Sequence, residues 1–333
     1  MSLAALALAA SDVRDERREV FEDREEPLNP SPSHQFDEGR SMEAGSRHVP
    51  VMPAEVLAHL TPQPGQIFVD ATVGAGGHAR LIAERLGSTG RLIGLDQDPA
   101  MLALAQSRLA GYPVTLVQSN FDQLRLVLDE LGIKTVDGVL ADLGVCSDQL
   151  DDPERGLSFQ QVGPLDMRLN PAEGEPASSL LKHLNERDLA DLFWKYGEER
   201  FSRRIARKIV EVRRRTPLET TEQLAELVRR CIPRPRGRQI DPATRVFQAL
   251  RITVNDELGA LDRFLASLPN CITRGGRAVV ISFHSLEDRR VKQTFRDKNQ
   301  WQVLTKKPIQ ASEDELRFNP RARSAKLRAA SRI

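Results

Sequence analysis

From residue 66 onward, short apolar runs alternate with stretches whose apolar residues fall on one helical face. The runs Ile67–Val69, Arg91–Leu95, Val114–Val117, Val136–Leu140 and, much later, Ala278–Phe283 predict β-strands. Between the early runs, Ala79, Ile82, Ala83 and Leu86 recur at i, i+3, i+4 and i+7, the spacing of an amphipathic helix. Strand–helix alternation of this kind predicts a parallel sheet covered by helices on both faces. The alternation stops near residue 150. Residues 185–268 are almost wholly of helical period, with candidate helices over 186–195, 198–215, 221–231 and 243–268. The second carries a seam of Phe201, Ile205, Ile209 and Val212. The last carries a stripe of Phe247, Leu250, Val254, Leu258, Leu261 and Leu265, and is expected to return the chain to the sheet. The expected organisation is an α/β domain over 47–150 and 244–333, interrupted by a helical insertion over 151–243.

Residues 1–46 fit neither pattern. They carry a net charge of −6, against +7 for the rest of the chain, and include Pro27, Pro30 and Pro32. This composition predicts a disordered acidic N-terminal extension. The apolar opening Leu3–Ala10 has no basic residues ahead of it and is not read as a signal peptide. The mildly basic remainder suits a polyanionic partner.

Composition narrows the class. An apolar fraction of 40% with 29% charged residues is that of a globular protein, and no apolar run approaches the ~20 residues that span a bilayer. No membrane partner is expected. Cys146, Cys231 and Cys271 lie far apart with no Cys-x-x-Cys pair, so neither a metal site nor a disulfide framework is expected, in keeping with a reducing cytoplasm.

The strongest local signal is Val69-Asp70-Ala71-Thr72-Val73-Gly74-Ala75-Gly76-Gly77-His78-Ala79, which follows a strand and opens a helix. Glycines there let the backbone turn and approach a ligand closely. Asp96 follows Gly76 by twenty residues, at the end of the second strand, where a carboxylate accepts from the ribose hydroxyls of an adenosine. Gly74, Gly76 and Ala79 also satisfy the dinucleotide fingerprint, so an NAD-dependent dehydrogenase stays open here. A carboxylate at Asp70 suits a cofactor bearing an amino group and a sulfonium better than one bearing two phosphates. Phe121, after the third strand, is placed either to pack on an adenine or to fill the core. Asp142, after the fourth, stands at the carboxyl edge of the sheet, where such folds bind ligands; a turn cap is the alternative.

These residues sit among longer motifs: His48-Val49-Pro50-Val51-Met52, Asp142-Leu143-Gly144-Val145 running to Gln149-Leu150-Asp151, Gly163-Pro164-Leu165-Asp166-Met167-Arg168, Thr244 to Ile252, Ser282 to Arg289 and Asn319 to Ser324. With them the chain, from about residue 47 to 330, resembles the bacterial 16S ribosomal RNA cytosine-N4 methyltransferases of the MraW type. The resemblance implies a class I, Rossmann-like S-adenosylmethionine-dependent methyltransferase fold with an inserted all-helical domain that recognises RNA. It implies that Gly76, Gly77, His78, Asp96, Phe121, Asp142 and Gln149 contact S-adenosylmethionine. The substrate implied is a cytidine of 16S ribosomal RNA near the decoding site, in the small ribosomal subunit. Cys146 and Asp148 depart from the family's usual serine and proline.

The chemistry needs an acceptor for the protons of a poorly nucleophilic amine. No catalytic group is assigned; Asp142 is the first candidate and Asp166 the second. Ser285-x-x-Asp288 reads as a helix capping box, giving its neighbour His284 a positional rather than a basic role. RNA contacts are expected from Arg200, Arg203, Arg204, Arg207 and Lys208, from Arg213–Arg215, from Arg229–Arg238, and from a basic C-terminal tail with Arg321, Arg323, Lys326, Arg328 and Arg332. A non-catalytic RNA-binding assembly factor on the same fold is the remaining alternative.

Overall fold

The computed structural model describes residues 49–233 and 241–333. The acidic extension, His48, and three arginines of the Arg229–Arg238 run, Arg234, Arg236 and Arg238, lie outside the described residues.

Strands and helices alternate first: α1 (Pro53–Leu60), β1 (Ile67–Asp70), α2 (Gly77–Leu86), β2 (Arg91–Asp96), α3 (Pro99–Arg108), β3 (Val114–Gln118), α4 (Leu124–Glu130), β4 (Val136–Asp142) and the short α5 (Ser147–Asp151). Five helices follow: α6 (Ala177–His183), α7 (Glu186–Gly197), α8 (Ser202–Arg213), α9 (Thr221–Cys231) and α10 (Ala243–Val254). The chain closes with α11 (Glu257–Cys271), β5 (Ile272–Ser282), α12 (Ser285–Phe295), β6 (Trp301–Val303), α13 (Glu313–Phe318) and β7 (Lys326–Arg332). The strands form one sheet in the order β3-β2-β1-β4-β5-β7-β6. The first five are parallel and β7 runs antiparallel to both neighbours.

Successive strand residues face opposite sides, so each strand feeds two cores. Val69, Ile93 and Val139 pack with Leu261, Phe264 and Leu265 of α11 on one face. Phe68, Leu92, Leu140 and Val279 pack with Ile82 and Leu86 of α2 on the other. Gly138 in β4 has a packing reason: a Cβ there would lie 2.3 Å from the Phe68 ring. A third core, running from Leu157 to Leu250, joins α6 through α10. Among the described residues no helix is long and apolar enough to cross a membrane.

Three expectations change. The single helix over 243–268 is two, because the chain breaks at Asn255 and Asp256, the latter left-handed at φ 47°. The apolar stripe runs unbroken across that break, yet Phe247 and Leu250 belong to the helical core, while Leu261 and Leu265 cover the sheet. β5 begins at Ile272 rather than 278. Finally, residues 326–332 are not a tail but the strand β7, whose Leu327, Ala329 and Ala330 are buried. Its basic residues hid the strand from a reading by polarity.

Candidate functional site

Asp70, Asp96 and Asp142 are each the last residue of a strand: β1, β2 and β4. The order reverses between β1 and β4, so a crevice opens above their carboxyl ends. A cavity there is lined by Gly74, Gly77 and His78 of the first loop, and by Asp96, Phe121, Asp142 and Gln149. Of the seven residues that the resemblance implies contact the cofactor, the fold gathers six around this cavity, all but Gly76.

Gly76 does a different job. Its φ is 85°, and a Cβ would meet Leu109 at 3.3 Å, so the glycine permits both the turn into α2 and its close packing on α3. Gly74 donates its N–H to Asp96 Oδ2 at 2.9 Å, and Asp98 N–H donates to Oδ1 at 2.9 Å. Burial is the main reason the Asp96 carboxyl is pushed up to about 6, against the pull of those two N–H donors. Each oxygen keeps a lone pair for a ligand hydroxyl.

Gln149 is a wall held from behind. Its Oε1 accepts from Cys146 N–H at 3.1 Å and its Nε2 donates to Asp98 Oδ2 at 2.8 Å. Asp98 also caps α3 through Ala100 N–H and accepts from Arg155. Phe121 packs against the core and also borders the cavity. Its ring stands edge-on to Phe264, with centroids 5.3 Å apart.

Asp70 does not face the ligand space. It lies beneath the loop at 1% exposure, accepting from Thr72 N–H, and burial pushes its carboxyl up to about 7. The expectation of a cofactor-facing Asp70 is corrected: as the last residue of β1 it turns into the protein rather than toward the cavity. Asp142 is the carboxylate that reaches the cavity, with Oδ2 at 3.5 Å from His78 Nε2. At the cavity, Asp142 Oδ1 and both His78 ring nitrogens are buried with no hydrogen-bond partner among the described residues. Buried polar atoms are nearly always satisfied, so this group marks a place where a polar ligand is due. Its anionic character suits a cationic one.

Asp166 is excluded as an acceptor at this site. It holds Arg168 at 2.9 and 2.7 Å and does not line the cavity. Burial alone would raise its carboxyl, but the Arg168 bonds outweigh that and keep it low.

The opposite wall was not read from the sequence. Asn255, Glu257, Ala260 and Leu261 line it, with Phe283 and Glu287. Arg251 donates to both Glu257 oxygens, Nε at 2.7 Å and Nη2 at 3.0 Å. The available signal was the polar run Asn255-Asp256-Glu257, set between Val254 and Leu258 of the apolar stripe. The capping box at α12 is also shifted by one residue. His284 is the N-cap and Glu287 its partner, accepting from Phe283 and His284 N–H at 2.8 and 3.2 Å. Burial works against the Glu287 carboxylate, but His284 and these N–H groups hold its carboxyl below the ordinary range. Asp288 instead pairs with Arg328 at 2.6 Å.

The basic clusters divide. Arg328 is buried in that pair, and Arg332 donates to the Pro269 and Gln300 carbonyls. Arg213 donates to the Leu184 carbonyl at 2.7 Å and to that of Leu181. These three serve the fold. Arg207, Lys208 and Arg230 pair with Glu186, Glu211 and Glu226 on the surface. Arg203 and Arg204 on α8 are exposed, with no acidic partner among the described residues. On the neighbouring α7, Trp194 is 62% exposed.

Residues 45–333 match the family described as the MraW methylase family. Proteins called ribosomal RNA small subunit methyltransferase H are similar along most of their length. That of Sorangium cellulosum (strain So ce56) is 51% identical over 291 residues, covering 87% of this chain and 92% of its own. That of Geotalea uraniireducens (strain Rf4) is 48% identical over 307 residues, covering 86% and 98%. That of Geobacter sulfurreducens is 50% identical over 307 residues, covering 86% and 99%.

Proposed function

Because the chain belongs to the MraW methylase family, we propose that it methylates the N4 exocyclic amine of a cytidine in 16S ribosomal RNA, near the decoding site. The observation that carries this reading is the cavity above β1, β2 and β4, where loop, carboxylates and aromatic ring come together. The chain is an S-adenosylmethionine-dependent methyltransferase of class I, Rossmann-like fold. S-adenosylmethionine, when bound, supplies an activated methyl group on a cationic sulfur.

The chain's own groups bind and orient it. Asp96 accepts from the ribose hydroxyls, Phe121 flanks the adenine, and the loop Gly74–His78 lies along the ligand's edge. Asp142 and His78 satisfy polar groups near the positive charge. Gln149 holds the wall through Asp98 and Cys146. The α/β parts, 47–150 and 244–333, carry this site. The helical part, 151–243, carries the RNA: the exposed Arg203 and Arg204 meet phosphates, while Trp194 offers a stacking face. The target base must be unpaired or extruded to reach the cavity.

The test uses the full chain, labelled S-adenosylmethionine and small ribosomal subunits from cells lacking the gene. After nuclease digestion, label is expected in N4-methylcytidine at one position. Label confined to a ring carbon or a ribose would overturn the amine assignment. RNA binding without transfer would favour an assembly factor.

A further inference from the structure

The cavity has two ends along α11. Phe264 meets the Phe121 ring, Ala260 and Leu261 line the middle, and Glu257 lines the far end at the helix start. Seven residues of helix separate Phe264 from Glu257, about 10 Å at the helical rise. A ligand held by the glycine loop and Phe121 therefore leaves a second wall facing it.

The polar groups of that wall differ in what they have free. Asn255 Oδ1 accepts from Leu169 N–H at 2.8 Å, and its Nδ2 donates to the Met167 and Arg251 carbonyls at 2.8 and 2.9 Å, which uses both amide hydrogens. The Glu287 side chain is 4% exposed, and its oxygens close the N-cap of α12. Among the described residues Glu257 binds only Arg251, one bond to each oxygen, and its side chain is 13% exposed. A carboxylate offers about four lone-pair sites, so each Glu257 oxygen retains one. Glu257, His284 and Glu287 also bring ligand atoms within 4.8 Å of one another, the spacing of a metal site. Arg251 already neutralises Glu257, however, and the helix cap engages Glu287, which leaves little charge to seat a cation.

We infer that Glu257 is the catalytic carboxylate that accepts the protons of the target amine, with Arg251 as its positioning residue. This rests on reading the cavity as the site of N-methyl transfer. In-line displacement requires the nitrogen to approach from the side opposite the sulfur. With the donor against the loop, that side is the Glu257 wall, whereas Asp142 stands with His78 at the loop. The nitrogen–carbon bond forms as the carbon–sulfur bond breaks. The bonding pair stays on sulfur, leaving a neutral thioether. The nitrogen's surplus proton passes to Glu257 and from it to water.

The test compares Glu257→Gln and Glu257→Asp with the wild-type chain. Single-turnover methyl transfer to saturating small subunits is measured alongside S-adenosylhomocysteine affinity by calorimetry and the urea unfolding midpoint. Glu257→Gln keeps an oxygen for Arg251 but loses the base. Its transfer rate is expected to fall about 10²–10⁴-fold with ligand affinity little changed, while the unfolding midpoint falls because Arg251 loses its charge partner. Glu257→Asp, which keeps the charge, is expected to recover part of the rate. A Glu257→Gln rate within threefold of wild type overturns the inference. So does a loss of S-adenosylhomocysteine affinity in step with the loss of rate, which would make the residue structural. If the wild-type chain itself leaves cytosine N4 unmethylated, the proposed function fails first, and the role of Glu257 with it.

Discussion

Gly74 N–H donates to Asp96 Oδ2 at 2.9 Å, fastening the glycine loop after β1 to the end of β2. One carboxylate therefore shapes the loop and faces the ligand. Asp96→Ala is expected to weaken S-adenosylhomocysteine binding by about 1–3 kcal/mol, through lost hydrogen bonds to charge. Calorimetry checks it; unchanged affinity would move the ribose elsewhere.

The buried Asp70 gives a pH dependence with a definite sign. Its carboxyl is raised from 3.8 to about 7, mainly by burial. Between those values the folded chain holds a proton that the unfolded chain has released. Stability conferred by this group is thus complete below pH 4, is lost as pH rises to about 7 at up to about 1.4 kcal/mol per pH unit, and changes no further above that. Asp70→Asn removes that slope. Urea unfolding at pH 5 and pH 8 should give a smaller difference for the variant than for wild type; equal differences would refute the buried charge.

Gly76 can be tested against a control of nearly the same backbone angle. Gly76 has φ 85° and would bring a Cβ against Leu109, whereas Gly111 has φ 87° and open space around it. Gly111→Ala should cost only the left-handed strain, about 1–2 kcal/mol. Gly76→Ala should cost more and should also weaken ligand binding, because the loop and α2 must shift. Thermal unfolding of both variants decides it.

Two C-terminal arginines should behave oppositely. Arg328 pairs with Asp288 at 2.6 Å and is 7% exposed, so Arg328→Ala leaves the half-buried Asp288 carboxylate without its partner and should destabilise the fold by about 1–3 kcal/mol. Arg323 is exposed. Arg323→Ala should leave unfolding unchanged.

On α8, the double variant Arg203→Ala with Arg204→Ala should leave S-adenosylhomocysteine affinity intact. It should flatten the dependence of log K for RNA on log salt by roughly one for each phosphate that is no longer neutralised. A parallel slope would remove these arginines from the interface.

Periodicity in the sequence was enough to locate the four early strands and the helix carrying Ala79 to Leu86, because strands packed between helices read as short apolar runs. The glycine loop, Asp96, Phe121 and Asp142 were legible too, since backbone geometry at strand ends demands particular residue types. Three things only tertiary structure decided. The stripe from Phe247 to Leu265 has one spacing but serves two cores, and nothing local distinguishes them. β7 is basic yet interior, because Arg328 meets an Asp288 that lies 40 residues away. Glu257 reaches the cavity because Arg251 and a left-handed Asp256 set the start of α11 there. Local patterns record what each segment must bury; which charge meets which cavity depends on how distant segments pack.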